Sequence, residues 1–547
     1  MKRGTMQNIF LIVVFVLACR AVDSFAFSSA NIPLDSPIYL YLDKLAGFGL
    51  ILNDVKGLKP YSKSEAARLL LEAETNLAAG ATAEPAFAGE LVARIRELIP
   101  REIMQREQPE KKSPVVDYNP VSGLRLRYVY LDGAPRSYNR LVNDPGNEGV
   151  FGIGSGLRPK NPYPTPVQHY GTEGTPLMEN NDGVIYRQGH NTELRWAAEG
   201  YVGDKVAALV EPMVLASDSD TTVRLNRGYL KVGGGALELE VGRDENWLGF
   251  GYRGEITLTN NAQNLDIVKL SSPEPFRVGW LSWLGDLKYA LIVSRLNKTI
   301  TNGQERQPWY YAVRLLAKPT TNLEIGFNLG RQQGGPGVNN SLGDWIRGFV
   351  GGTGTPTKTS DNSKANAGLD ARYRIPWLRN TEIYGEFSGC DAAAFWPIVE
   401  SYVAGFYLPM LTLDGRNDLR FEYFRGNYIL YSGTDGTFPE GYLYHDMPLG
   451  HSQGGAVEDF FVRYSHWFGA RNNLALEYFY TVRGSFDRMP GQSIEHKNAG
   501  RISWTLPLNV GLDAQLLYGA ERIVNLNLVE GQSRTNQVVK FELRYNY

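Results

Sequence analysis

The chain has 547 residues, and its 56 Lys and Arg face 58 Asp and Glu, a net charge of −2. That balance argues against nucleic acid as a main partner, which needs a strongly basic face. A mean hydropathy of −0.29 and a single short apolar run exclude a bundle of membrane-crossing helices, each needing ~20 apolar residues. The excess lies elsewhere, in 31 Tyr, 23 Phe, 10 Trp and 59 Gly, the profile of a long all-β chain.

Residues 1–26 read as a secretory signal peptide. Lys2 and Arg3 form the basic start, and Ile9 to Ala18 is an apolar run too short to span a bilayer. Ser24-Phe25-Ala26 puts small residues where a cut after Ala26 needs them. A lipid anchor on Cys19 fits less well, because Leu17 stands where a small residue is usual. Beyond the leader only Cys390 remains, so no disulfide framework is expected.

Residues 27–104 read as a small helical domain. Ser36 can cap a first helix with Pro37 at its first position, followed by Tyr39, Leu42, Leu45 and Ala46 at helical spacing. Ser62-Lys63-Ser64-Glu65 spells a capping box that opens a second helix. Pro85 opens a third, with Leu91, Ile95, Leu98 and Ile99 on one face. Residues 105–121 are charged and proline-rich and read as a linker.

From 122 to 547 the period becomes two. At the end of the chain Val539, Phe541, Leu543 and Tyr545 alternate with Lys540, Glu542, Arg544 and Asn546. Such a strand has one apolar and one charged face. Leu194 and Trp196 alternate in the same way with Glu193 and Arg195. Leu237, Leu239 and Val241 alternate with Glu238 and Glu240, and Leu419, Phe421 and Tyr423 with Arg420 and Glu422. Alternating segments of ~10 residues between turns are the pattern of a transmembrane barrel, with lipid against the apolar face. About 18 strands fit. Short connections such as 203–205, 233–235, 376–380 and 469–471 all fall on one side. The long ones, 132–190, 244–275, 332–363 and 427–457, fall on the other, as short periplasmic turns and long extracellular loops should. This count places a strand over 276–284, leaves 264–270 in a loop and makes 401–410 a strand. It also puts the helical domain in the periplasm. The charged strand faces either pair across the lumen or line a pore.

Enzyme motifs occur by letter only. Gly450-His451-Ser452-Gln453-Gly454 matches the nucleophile elbow, but no helix follows it. Gly249 to Gly254 spells G-x-G-x-x-G, yet Glu255-Ile256-Thr257-Leu258-Thr259 continues as strand. The six histidines are scattered without metal-ligand spacing, so no metal and no cofactor is expected. Asp218 and Asp220 in a short loop read as a solvated turn. The long loops instead carry Tyr, Trp, Asn, Asp, Arg and His. Aromatic faces pack on sugar rings, and planar polar groups bridge neighbouring hydroxyls. Arg243, Trp247, Asn260, Asn261, Asp391, Trp396, Tyr442, Tyr444 and His451 are the candidate polysaccharide-binding residues. Interface girdles use the same aromatics in any barrel.

Several segments in order resemble the Wzi family of outer-membrane capsule-assembly proteins. They include Ile32-Pro33-Leu34-Asp35-Ser36, Lys59-Pro60-Tyr61-Ser62, and Gly242-Arg243-Asp244 with Trp247-Leu248-Gly249. Leu258 to Ala262, Tyr384-Gly385-Glu386, Asp418 to Tyr423 and Gly450-His451 continue the series. The resemblance implies an 18-stranded barrel with a periplasmic helical bundle. It also implies a lectin-like role, holding capsular or extracellular polysaccharide at the cell surface. The terminal aromatic, Tyr547, resembles the signal by which the barrel assembly machinery recognises its clients. A porin or substrate channel is the second reading, and an outer-membrane lipid hydrolase using Ser452 is the third.

Overall fold

The computed structural model describes residues 27–82, 84–110, 114–146, 160–301, 303–349, 363–390, 397, 399–433 and 438–546. The leader and Tyr547 lie outside the described residues.

Eighteen antiparallel strands among these residues close into one barrel. They are β1 Val116–Asp132, β2 Gly189–Val202, β3 Val206–Ser217, β4 Thr221–Gly234, β5 Leu237–Asp244 and β6 Leu265–Ser271. Next come β7 Asp286–Arg295, β8 Trp309–Lys318, β9 Leu323–Gln333, β10 Ser363–Ile375, β11 Thr381–Cys390 and β12 Val399–Leu408. The last are β13 Asn417–Gly426, β14 Val457–Gly469, β15 Asn472–Arg483, β16 Glu495–Asn509, β17 Leu512–Val524 and β18 Ser533–Asn546. Each pairs with its sequence neighbour, and β18 closes on β1 through Leu126↔Leu543 and Tyr128↔Phe541.

Period two decides which way each side chain points. Leu194 and Trp196 face outward, while Glu193 and Arg195 are buried in the lumen. The same split holds for Leu237, Leu239 and Val241 against Glu238 and Glu240, and for Val539 and Phe541 against Lys540 and Glu542. The wall is therefore apolar outside and charged inside.

Two expectations are corrected. The strand expected over 276–284 is instead a 3-10 turn, Gly279–Leu284, and the stretch left in a loop is β6. In β6 the usual polarity is mixed. Leu265 and Ile267 face an apolar lumen plug, while Asp266 faces outward onto Arg243, so no clean alternation is visible. Trp280 and Trp283 are both exposed on the Gly279–Leu284 segment, which is kinked at Leu281. The second correction is at the start. β1 begins at Val116, inside the expected linker. Pro120 is accommodated where the β1–β2 register shifts between Asn119 and Gly123.

Among the described residues four helices precede the barrel: α1 Ile38–Gly47, α2 Lys63–Ala78, α3 Pro85–Leu98 and α4 Pro100–Glu107. Ser62 caps α2 by accepting the Glu65 N–H at 3.1 Å. α1 starts one residue later than its sequence suggests, with Pro37 in the capping position. Pro100 starts α4 separately, dividing what reads as one third helix. The apolar faces that these short helices cannot cover alone meet the barrel: Trp467 of β14 packs on Tyr41 and Phe87. The helices close the end of the barrel where the short turns lie. Lys44, fully buried, donates to the carbonyls of Pro409 and Gly415 and pairs with Asp418 at 3.0 Å. Arg94 pairs with Asp513 at 2.9 Å, and Asn380 donates to the Gly47 carbonyl.

Candidate functional site

The lumen is filled from both ends. The long connection after β5 turns inward instead of covering the mouth. Its Trp247–Leu248 forms a two-residue antiparallel ladder with Leu58–Lys59 of the helical head. Strand carboxylates hold the rest of this loop by its backbone. Glu422 accepts the N–H groups of Tyr252 at 2.7 Å, Arg253 at 3.1 Å and Gly254 at 3.2 Å. Glu386 accepts that of Ile256 at 3.0 Å. Each otherwise orphaned donor thereby gains a charged acceptor.

Head and wall are joined by an ion-pair cluster. Asp54 meets Lys318 of β8 at 2.8 Å, and Arg372 and Arg374 of β10 at 3.3 and 3.0 Å. Burial alone would raise the Asp54 pKa. Arg372, Arg374, Lys318 and Lys56 outweigh it and hold the carboxyl well below the usual carboxylate range. The charged strand faces thus pair along the wall between nearby strands: Arg314 of β8 with Asp370 of β10 at 2.8 Å, and Arg372 of β10 with Glu382 of β11 at 2.7 Å.

The candidate residues fall into three places. Trp247 and Asn260 line a chamber of about 400 Å³ between the head and the inward loop. Asn260 donates to Asp182 at 3.0 Å. Asn261, Tyr442 and His451 are buried in the plug. Asn261 donates to the Pro448 carbonyl at 3.0 Å, and the Tyr442 hydroxyl to that of Lys364 at 2.5 Å. The His451 ring stacks on Phe424 at 3.7 Å, and its backbone N–H donates to the Tyr431 hydroxyl at 2.8 Å. Arg243 and Tyr444 form the third place, at the rim. Arg243 is on the outer side of the wall in a two-toothed pair with Asp266, at 2.8 and 2.9 Å. Tyr444 is half-buried beside His445. Asp391 and Trp396 lie outside the described residues. The nine positions therefore do not form one cluster. Sequence reasoning missed the head's share of the chamber, Tyr39, Lys56 and Lys59. No local pattern ties those residues to a loop ~190 positions later.

Ser452 is buried beside His451, and its hydroxyl accepts from the Gln453 amide at 3.3 Å. An elbow serine needs its hydroxyl exposed above a strand–turn–helix. His451 is a buried neutral ring: burial pushes its pKa down to about 3, and the cations Arg253, Lys497 and Arg483 work in the same direction against Asp459. The unfolded chain takes up a proton near ~6.5 and the folded protein does not. Stability from this residue is therefore full above ~6.5 and falls as pH drops towards 3. Thermal unfolding of His451→Phe, whose ring keeps the stack on Phe424, should lose less on acidification than wild type. The expected difference is on the order of 3 kcal/mol between pH 7 and pH 4. Parallel curves for the two proteins would refute it.

A family model described as "Capsule assembly protein Wzi" matches residues 158–538, most of the chain. The chain belongs to the Wzi family. The Wzi barrel solved from Escherichia coli is described as an outer membrane protein involved in group 1 capsule assembly and a carbohydrate-binding β-barrel. It superposes with a TM-score of 0.64 at 15% identity, covering 95% of this chain and 100% of that one. A Klebsiella pneumoniae protein described only as an uncharacterized 55.8 kDa protein in the cps region is 26% identical over 177 residues. The match spans 30% of this chain and 33% of that curated relative. Pseudomonas aeruginosa OccD3 (OpdP) matches at 12% identity with a TM-score of 0.41, over 80% of this chain and 93% of its own. That looser likeness bears no weight.

Proposed function

We propose that this Wzi-family barrel sits in the outer membrane and holds exported capsular or extracellular polysaccharide at the cell surface, without catalysis. The observation that carries this reading is the family match over residues 158–538, joined to a barrel whose lumen is occupied. The apolar outer wall suits lipid. The short turns lie on the side of the helical head, as in barrels whose short turns are periplasmic, so the head faces the periplasm and the long loops face outward. The terminal strand and Tyr547 would present the chain to the barrel assembly machinery. The porin reading is weakened by the ladder between Leu58–Lys59 and Trp247–Leu248, which crosses the space a channel would need. The hydrolase reading is weakened by the burial of Ser452.

Deletion of the gene should release most of the cell-attached polysaccharide into the medium, and the wild-type copy should restore it. The measurement is cell-bound against free glycan after washing. A deletion strain that keeps all of its glycan attached would end this reading.

A further inference from the structure

We propose that the chamber between the helical head and the inward loop binds one acidic sugar unit, a pyranose bearing a carboxylate. This rests on the polysaccharide-binding reading above and adds a contact with the glycan inside the barrel, reached from the periplasmic end and separate from its retention at the surface. The chamber, at about 400 Å³, is in the size range of small-molecule sites, ~300–1,000 Å³. Ten Lys and Arg line it against seven Asp and Glu. Nine of the ten have a carboxylate within ion-pair distance, as Arg420 has in Asp43 at 2.8 Å. Lys59 has none among the described residues. It instead lies over the rings of Tyr39 at 5.6 Å and Trp247 at 5.8 Å.

The unused hydrogen-bonding groups on the same walls are mostly donors. The indole N–H of Trp247, Nη2 of Arg253 and Nε of Arg420 are buried without a hydrogen-bond partner among the described residues. One acceptor joins them, the side-chain oxygen of Asn180. Buried polar groups left unpaired are costly, so such a set marks a place for a ligand or for water. An unpaired ammonium, in a lining whose unused groups are mostly donors, fits an anionic oxygen. Two aromatic rings fit the C–H face of a sugar, and the Asn180 oxygen fits a hydroxyl. Asp35 and Arg544, both partly exposed, border the chamber near the short-turn end, so a ligand enters there.

The test is calorimetric titration of the full-length barrel in detergent with sodium D-glucuronate, D-glucose and sodium sulfate. Glucuronate should bind, and glucose at least tenfold more weakly. Lys59→Gln should weaken glucuronate at least tenfold, and Lys59→Arg should restore most of the loss. Trp247→Phe, which keeps a ring and removes the N–H, should weaken it several-fold. Heat-dependent gel mobility checks that each variant is a folded barrel. Glucuronate binding that is absent, or equal in wild type and both Lys59 variants, overturns the proposal. So does sulfate binding as tightly as glucuronate, which would mark a bare anion site. Protein that binds the long polysaccharide but not glucuronate removes the chamber and leaves the proposed function standing; protein that binds neither removes both.

Discussion

Replacing Asp54 with Asn should loosen the helical head from the barrel and cost about 3–5 kcal/mol, the usual effect of removing one member of a buried ion pair. The reason is the company it keeps. Lys318, Arg372 and Arg374 converge on this one carboxylate inside the barrel, and each is almost wholly buried. Asn keeps the shape and one acceptor but leaves three cations short of a counter-charge. Glu324 and Glu382 still serve Arg372, and Glu382 also serves Arg374, so the wall strands should hold. Lys318 has no other carboxylate partner among the described residues. The measurement is limited trypsin digestion of the folded barrel. The variant should release fragments from residues 27–107 well before wild type, while the barrel keeps its heat-dependent gel shift. Equal digestion of both proteins would show that the apolar contacts of Trp467, Tyr41 and Phe87 suffice to seat the head.

Glu422→Ala should have a comparable effect on the inward loop. One carboxylate accepts three consecutive backbone N–H groups and the Tyr384 hydroxyl, the last at 2.8 Å. Alanine leaves four buried donors without that acceptor, at ~1–3 kcal/mol for each one that water cannot reach. A net loss of about 3 kcal/mol or more is expected in barrel unfolding. Residues 249–257 should also become accessible to protease. Glu422→Gln keeps one acceptor oxygen in place and should lose roughly half as much. The comparison separates hydrogen bonding from space-filling: equal losses for Ala and Gln would mean that charge, and not the number of acceptors, holds the loop.

The two carboxylates also show what a sequence hides. Glu422 reads as one more inward-facing charge in the run from Asp418 to Tyr423. The alternation fixes its direction correctly. Nothing in that run says that its partners are the backbone of a segment ~170 residues earlier. Asp54 is less visible still, lying between α1 and α2 with no pattern of its own. The candidate glycan residues suffer the same limit. Tyr442, His451 and Asn261 have the chemistry of sugar recognition, but they are buried in the plug: the Tyr442 hydroxyl and the Asn261 amide N–H are engaged there, while the Asn261 side-chain oxygen and His451 Nε2 have no hydrogen-bond partner among the described residues. Trp247 kept an unpartnered N–H beside a chamber, and its neighbour there, Lys59, comes from the head.

Local physics was enough for the wall. A strand between lipid and a charged interior must alternate, because successive side chains point to opposite faces. That rule gave the barrel; the alternation of short and long connections gave the side on which short turns and head lie, and the count of about 18 came out right because the strand expected over 276–284 stood in for β6. The rule failed at β6, where the lumen is locally apolar because a plug fills it. The interior was not legible, since the choice between a pore and a packed lumen depends on which distant charges meet. Only the tertiary structure brings Asp54 to Arg372, Glu422 to Tyr252, and Lys59 to Trp247. Those contacts join residues far apart in the chain through side chains whose directions, but not partners, are set by the period of the strand.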